Sequence, residues 1–120
     1  MGQPNPPVVV VTVGPTSTVV ADLDVRSDEL VTMQIRNLDP TQTFRGVVER
    51  RQSPEMEWST TTVGDFNSIP PAGTVDADGN PLDSVTADLP VAGTGFLRVV
   101  GLMDGIGGDV STCTRKGDPK

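Results

Sequence analysis

Histidine is absent from this 120-residue chain, and Cys113 is its only cysteine. The missing histidine removes the commonest general base and the commonest zinc ligand, so neither a Cys–His nor a Ser–His–Asp arrangement can form. A lone cysteine cannot form an intrachain disulfide either. We therefore predict that Cys113 is a small residue of a terminal strand and not a nucleophile.

Paired carboxylates are the remaining candidates for catalysis, because glycoside hydrolysis needs only two of them. Asp22 and Asp24 share one face of a predicted strand, and Glu55 and Glu57 do the same beside Trp58. Sugar-cleaving sites also use aromatic platforms and deep clefts, whereas aromatic residues make up only 3% of this chain. We predict that the protein is not an enzyme and needs no cofactor.

One acidic loop is a weak candidate for a calcium site, since Ca²⁺ prefers hard oxygen ligands at alternate positions of a loop. Its glycine, Gly79, comes earlier than in an EF-hand loop, and no glutamate follows at the closing position. Asp-Gly is typical of a hairpin tip, which is the interpretation that we prefer. The four candidate ligands are Asp76, Asp78, Asn80 and Asp83.

Three arginines lie on one predicted strand of an acidic chain: Arg45, Arg50 and Arg51. Arginine is enriched at interfaces and binds carboxylates through two parallel hydrogen bonds, so these residues are candidates for contact with an acidic partner. The alternative is pairing across the sheet with the chain's own acidic residues, Glu49, Glu55 or Glu57. The sequence leaves both possibilities open.

The overall charge excludes several partners. The net charge is −7, and a chain that binds nucleic acid or anionic lipid needs clustered basic residues instead.

The apolar run Val8–Val13 is far too short to cross a bilayer. No basic and apolar leader opens the chain, so we expect synthesis in a reducing cytoplasm.

Valine and threonine dominate the chain, and both are β-branched residues that suit strands. Thirteen glycines and eleven prolines interrupt the sequence too often for a long helix. Seven or eight short strands at regular spacing predict a single antiparallel β-sandwich or small barrel, Ig-like or jelly-roll-like. We predict an extended N-terminal arm over residues 1–14, the sandwich domain over 15–114 and a polar tail over 115–120.

Alternating apolar residues predict which side chains face the core. The inward sets are Val19, Ala21, Leu23 and Val25, with Val20 outward; Val31, Met33 and Ile35; and Phe44, Gly46 and Val48. Met56–Val63 is predicted as a strand carrying Trp58, and Gly95–Met103 as a central strand. Phe66 and Ile69 are predicted to plug the core from a short 3₁₀ turn.

The continuous β-branched run at the start of the chain predicts a strand that is either buried on both faces or pressed against a neighbouring subunit. Such an arm can add a strand to a neighbour's sheet edge. The residues that we assign to partner binding on this ground are Val8, Val9, Val10 and Val11.

Several stretches together resemble small β-sandwich virion proteins of tailed bacteriophages, of the capsid decoration (cement) type. The resemblance spans roughly residues 30 to 112 and is carried by structural motifs. These are Val31–Asp39, Thr41–Arg51, Trp58–Thr61, Asp65–Pro71, Leu97–Gly101 and Gly107–Val110.

The resemblance implies a protein of the virion surface that binds the outside of the capsid and stabilises contacts between major capsid subunits. It also implies a homo-oligomer, with a trimer favoured. A role in the tail, the head–tail connector or a fibre remains the alternative, and copy number per particle distinguishes these roles.

Overall fold

In a computed structural model, which describes residues 6–60 and 66–116, the chain forms two antiparallel four-stranded sheets packed face to face. The strands are β1 (Val8–Val13), β2 (Thr18–Asp24), β3 (Leu30–Asn37), β4 (Phe44–Arg51), β5 (Ser59–Thr60), β6 (Ser84–Pro90), β7 (Phe96–Met103) and β8 (Gly108–Lys116). Sheet A has the order β1-β8-β3-β6, and sheet B has the order β2-β7-β4-β5. The predicted all-β antiparallel sandwich is confirmed.

The described ranges contain no helix of the length and apolar character that a membrane span requires.

The core lies between the two sheets and is built by residues at alternate positions of the strands. In β3, Val31, Met33 and Ile35 are fully buried, as their period of two predicts. Phe44 and Val48 of β4 are buried in the same way. The predicted central strand is also found, because β7 lies between β2 and β4.

Strand β2 departs from the predicted alternation. Val20 is buried and Val19 is exposed, which reverses the faces that we expected at these two positions. The reason is a β-bulge: Val19 pairs with Val100 and Ala21 with Val99, so one extra residue of β2 lies between consecutive pairs. An inserted residue moves the side chains before it to the other face of the sheet.

The segment that begins at Phe66 pairs with β4 instead of forming the expected 3₁₀ turn. The N–H of Ile69 donates to the carbonyl oxygen of Phe44, and the N–H of Phe44 donates back to Ile69, each over 2.9 Å. The backbone of this segment is therefore satisfied by a neighbouring strand. Phe66 and Ile69 are buried, as predicted for core plugs.

The predicted strand Met56–Val63 is reduced to the two residues of β5 in the described part, and Thr61, Thr62 and Val63 lie outside it. Trp58 precedes β5 and is half-buried.

The extended N-terminal arm is not confirmed. Residues Val8–Val13 form β1, which pairs along its whole length with β8 of the same chain. The boundary that we predicted after residue 14 would therefore separate β1 from β8, its partner strand in sheet A. Residues 1–5 of the arm and 117–120 of the polar tail lie outside the described residues, and Arg115 and Lys116 belong to β8.

Candidate assembly surface

The most exposed apolar strand of the molecule is β1, at one edge of sheet A. It pairs with β8 on one side, from Val8 opposite Cys113 to Val13 opposite Gly108. No strand lies on its other side in the part of the chain that the structure describes. One row of main-chain N–H and C=O groups is therefore available for pairing with another chain.

Two of the other three edge strands, β2 and β6, carry features that ordinarily prevent such pairing. Strand β2 has a bulge and two exposed acidic residues, Asp22 and Asp24. Strand β6 carries the exposed Asp88 and ends at Pro90. Charge, proline, bulges and short length all discourage edge-to-edge association, and β1 has none of them within its six residues.

The exposure of β1 is concentrated at its first three residues. Val8, Val9 and Val10 are 66%, 50% and 58% exposed, whereas Val13 is fully buried. The prediction that this run is buried on both faces within the chain is therefore wrong. Its alternative, contact with a neighbouring subunit, stays a prediction for Val8, Val9, Val10 and Val11. Val11 is half-buried against the core.

A cleft separates the two sheets at the exposed end of β1, and we call it the β1–β2 cleft. Its volume is about 210 Å³. Val9 faces into it because Val9 shares the inward face of β1 with Val11 and Val13. Most of the lining is apolar, and the lining residues are Pro7, Val9, Val20, Ala21, Asp22, Leu23, Thr112 and Thr114.

The outer face of sheet A carries a shallow depression next to β1. It has a volume of about 390 Å³ and includes Val8, Gln34, Thr86 and Cys113 in its lining. The Cys113 thiol is half-buried and lies 3.8 Å from the carbonyl oxygen of Pro6. Arg115 also lines this depression, and no histidine is available to take a proton from the thiol because the chain has none.

All four residues of the two carboxylate pairs are exposed. The guanidinium of Arg26 donates to the Asp24 carboxylate, with 2.6 Å between Arg26 Nη2 and Asp24 Oδ2. This hydrogen bond lowers the pKa of Asp24 to about 2. Glu55 and Glu57 are exposed in the loop between β4 and β5, not on a strand.

The three predicted interface arginines do not form one patch. Arg45 is exposed and pairs with Asp104 over 3.1 Å. Arg50 donates to the carbonyl oxygen of Pro90, and Arg51 donates to that of Pro54. Their contact with an acidic partner stays a prediction. The residue that pairs with Glu49 across the sheet is Arg98, over 2.7 Å.

A row of stacked planar groups covers one end of the outer face of sheet B, and the sequence interpretation missed it. Arg51 and Arg98 lie over the ring of Trp58, at 4.3 and 4.4 Å from its centre. Arg26 and Arg51 lie over the ring of Phe96. This row could be predicted only from the register in which β4 and β7 pair, because that register places Arg51 directly opposite Phe96.

The predicted calcium loop is a closed hairpin tip. The Asp76 carboxylate accepts hydrogen bonds from the backbone N–H groups of Asp78 and Asn80, each over 2.9 Å. The bond from Asn80 lowers the pKa of Asp76. Asp83 is buried elsewhere and accepts from the N–H of Gly73, so the four candidates do not converge. Within residues 6–60 and 66–116, no group of three or more acidic or cysteine side chains could hold a metal ion.

Neither a scan against protein-family models nor a search of curated proteins finds a match for this chain.

Proposed function

We propose that this protein is a structural component of a virion, and specifically a head decoration protein that binds the outside of a phage capsid. In this role the open edge of β1 contacts the major capsid protein and stabilises contacts between its subunits. The observation that carries the proposal is that β1 has no charge, proline or bulge, whereas the edges β2 and β6 each have at least one of these features.

The chemistry of β1 supports a binding role. An added strand gains main-chain hydrogen bonds along the edge, and the exposed valines gain from burial. Each fully buried valine contributes roughly 1.5 to 3 kcal/mol relative to an exposed one. Many weak contacts of this kind can hold a repeating shell firmly when they act together.

The charge of the chain supports a role at high copy number. A net charge of −7 on each copy keeps a densely covered particle soluble through mutual repulsion. Strand β1 carries no charge itself, so contact at this edge buries no charged side chain of the strand.

The proposal is tested by placing a charge on the edge without disturbing the core. Removing residues 1–14 altogether is unsuitable, because it would delete the buried Val13 and the carbonyl oxygen of Gly14 that accepts from Met103. Val10→Lys is the better variant, since Val10 is exposed and a lysine on an edge strand opposes strand addition. Val47→Lys is the matched control, an exposed strand valine on sheet B.

We expect Val10→Lys to weaken binding to virions lacking this protein by roughly tenfold to a hundredfold. Val47→Lys should bind like the unchanged protein, and both variants should keep its melting temperature within a few degrees. Electron microscopy of virions with the chain labelled gives location and copy number: hundreds of copies on the head support decoration. Copies confined to the tail or connector, or undiminished binding by Val10→Lys, would refute the proposal.

A further inference from the structure

The turn between β7 and β8 presents a single apolar side chain to solvent. Ile106 is 97% exposed, the highest value among the large apolar residues described. Its neighbours on both sides are glycines, Gly105 and Gly107. An exposed isoleucine at the tip of a hairpin contributes nothing to the core, and the described part of the chain does not cover it.

This tip is held in one conformation by the side chain of Gln42. The N–H groups of Gly105 and Gly107 donate to Gln42 Oε1 over 2.8 and 3.3 Å, and Gln42 Nε2 donates to the carbonyl oxygen of Gly107 over 2.6 Å. Gly107 has a φ of +92°, a conformation that glycine adopts readily. A rigid tip loses little conformational entropy on binding.

A site that fits this side chain lies at the far end of the paired strands β1 and β8, in the β1–β2 cleft. The β1–β2 cleft has a volume of about 210 Å³. The four side-chain carbons of isoleucine need on the order of 120 Å³ if each occupies the volume of one water molecule in the liquid. The tip adjoins Gly108, which pairs with Val13, and the cleft adjoins Val9 and Pro7. These positions are about 13 Å or more apart along β1 at 3.4 Å per residue, so the tip cannot reach the cleft of its own molecule.

We infer that Ile106 of one copy inserts into the β1–β2 cleft of a second copy. This inference rests on the proposed function, because it adds a contact between neighbouring copies beside the β1 edge that binds the capsid protein. The isoleucine is the anchor of the contact, and Val9, which is 50% exposed in the cleft, supplies further apolar area. No charged side chain lies on the tip between Asp104 and Asp109.

The contact is heterologous, because the inserted residue and the cleft are different surfaces of the chain. Each copy therefore donates one tip and receives another, which gives a closed ring where the rotation between copies closes. The number of copies in the ring is a measured outcome.

Sedimentation equilibrium of the purified full chain tests the inference. We expect the unchanged protein to self-associate, and Ile106→Ser to weaken the association by roughly tenfold to a hundredfold. Met56→Ser is the matched control, because Met56 is also an exposed apolar loop residue but precedes β5 at the opposite edge of sheet B. It should leave association unchanged.

Disulfide formation between copies tests the geometry. In a Cys113→Ser background, Ile106→Cys protein mixed with Val9→Cys protein should form a disulfide-linked dimer under mild oxidation, several times faster than either protein alone. No enhanced cross-linking, or equal self-association by Ile106→Ser, would overturn the inference. So would a strictly monomeric unchanged protein, the result expected if a terminal segment of the same chain fills the cleft.

The two proposals fail in different ways. A monomeric chain that still binds virions refutes only the contact between copies. A self-associating chain that is absent from virions refutes only the proposed function.

Discussion

Two glycines face each other across the centre of sheet B, and the ring of Phe44 lies over both. Gly46 of β4 is directly opposite Gly101 of β7. A methyl group added at Gly46 would lie 2.7 Å from Cε2 of Phe44, and one added at Gly101 would overlap Cζ and Cε1 of the same ring. The glycines therefore make room for the fully buried Phe44.

We predict that Gly101→Ala destabilises the protein through this overlap. The ring cannot retreat easily because it is fully buried, and the carbonyl oxygen of Arg45 lies 3.0 Å from the added methyl on another side. Overpacking of this kind costs roughly 1 to 3 kcal/mol. For a domain of this size the melting temperature should fall by about 3 to 15 °C.

Urea denaturation monitored by circular dichroism measures the effect. Gly14→Ala is the control, since the nearest atom to its added methyl is 4.0 Å away and its φ is not in the left-handed region. That variant should be unchanged or up to about 1 kcal/mol more stable, because alanine restricts the unfolded chain.

A double variant isolates the cause of the loss. Phe44→Leu removes the ring edge that the new methyl meets, so the cost of Gly101→Ala should shrink by at least about 1 kcal/mol in the Phe44→Leu background. Strictly additive effects, or a Gly101→Ala protein as stable as the unchanged one, would show that the two glycines have no such role.

The stacked row on sheet B leads to two more predictions. Trp58→Ala removes the ring beneath Arg51 and Arg98 and should lower the free energy of unfolding by about 1 to 2 kcal/mol, at roughly 0.5 to 1 kcal/mol for each cation–π contact. In the same urea titration, the control Met56→Ala should change the free energy of unfolding by less than about 0.5 kcal/mol. The pKa of Asp24 is held at about 2 by its hydrogen bond with Arg26, and NMR titration should find it nearer its ordinary value in Arg26→Ala. Since the folded-state pKa is the lower one, Asp24 stabilises the fold above its unfolded-state pKa, and this contribution is lost as pH falls toward 2. An unshifted carboxyl in the unchanged protein would refute the pairing.

Local patterns were sufficient wherever a strand alternates regularly and its ends carry turn residues. Strand β3 follows the predicted faces throughout, because a period of two leaves only one way to bury Val31, Met33 and Ile35. The Asp-Gly tip is also as predicted, with Gly79 at a φ of +84°.

Features that depend on distant partners could not be predicted in the same way. The bulge in β2 is a property of its pairing with β7, so the alternation of Val19 and Ala21 alone suggested the wrong face at Val19. The run Val8–Val13 predicts a strand correctly, but its position at an edge depends on pairing with β8, about a hundred residues later. The same limit applies to Trp58, whose neighbours come from β4 and β7.

Strand β1 and sheet B differ in how their exposed groups are used, and this difference favours β1 as the side that binds the proposed partner. On sheet B, Arg98 is engaged by Glu49 and Trp58, and Arg45 by Asp104, so a partner at this face would have to compete with existing contacts. At β1 the exposed groups are Val8, Val9, Val10 and main-chain donors and acceptors, which lose only water when a partner arrives, together with Thr12, whose hydroxyl donates to Asp109. Displacing water from apolar surface is favourable, whereas breaking ion pairs is not. We therefore expect a neighbouring subunit to bind at β1 in preference to sheet B.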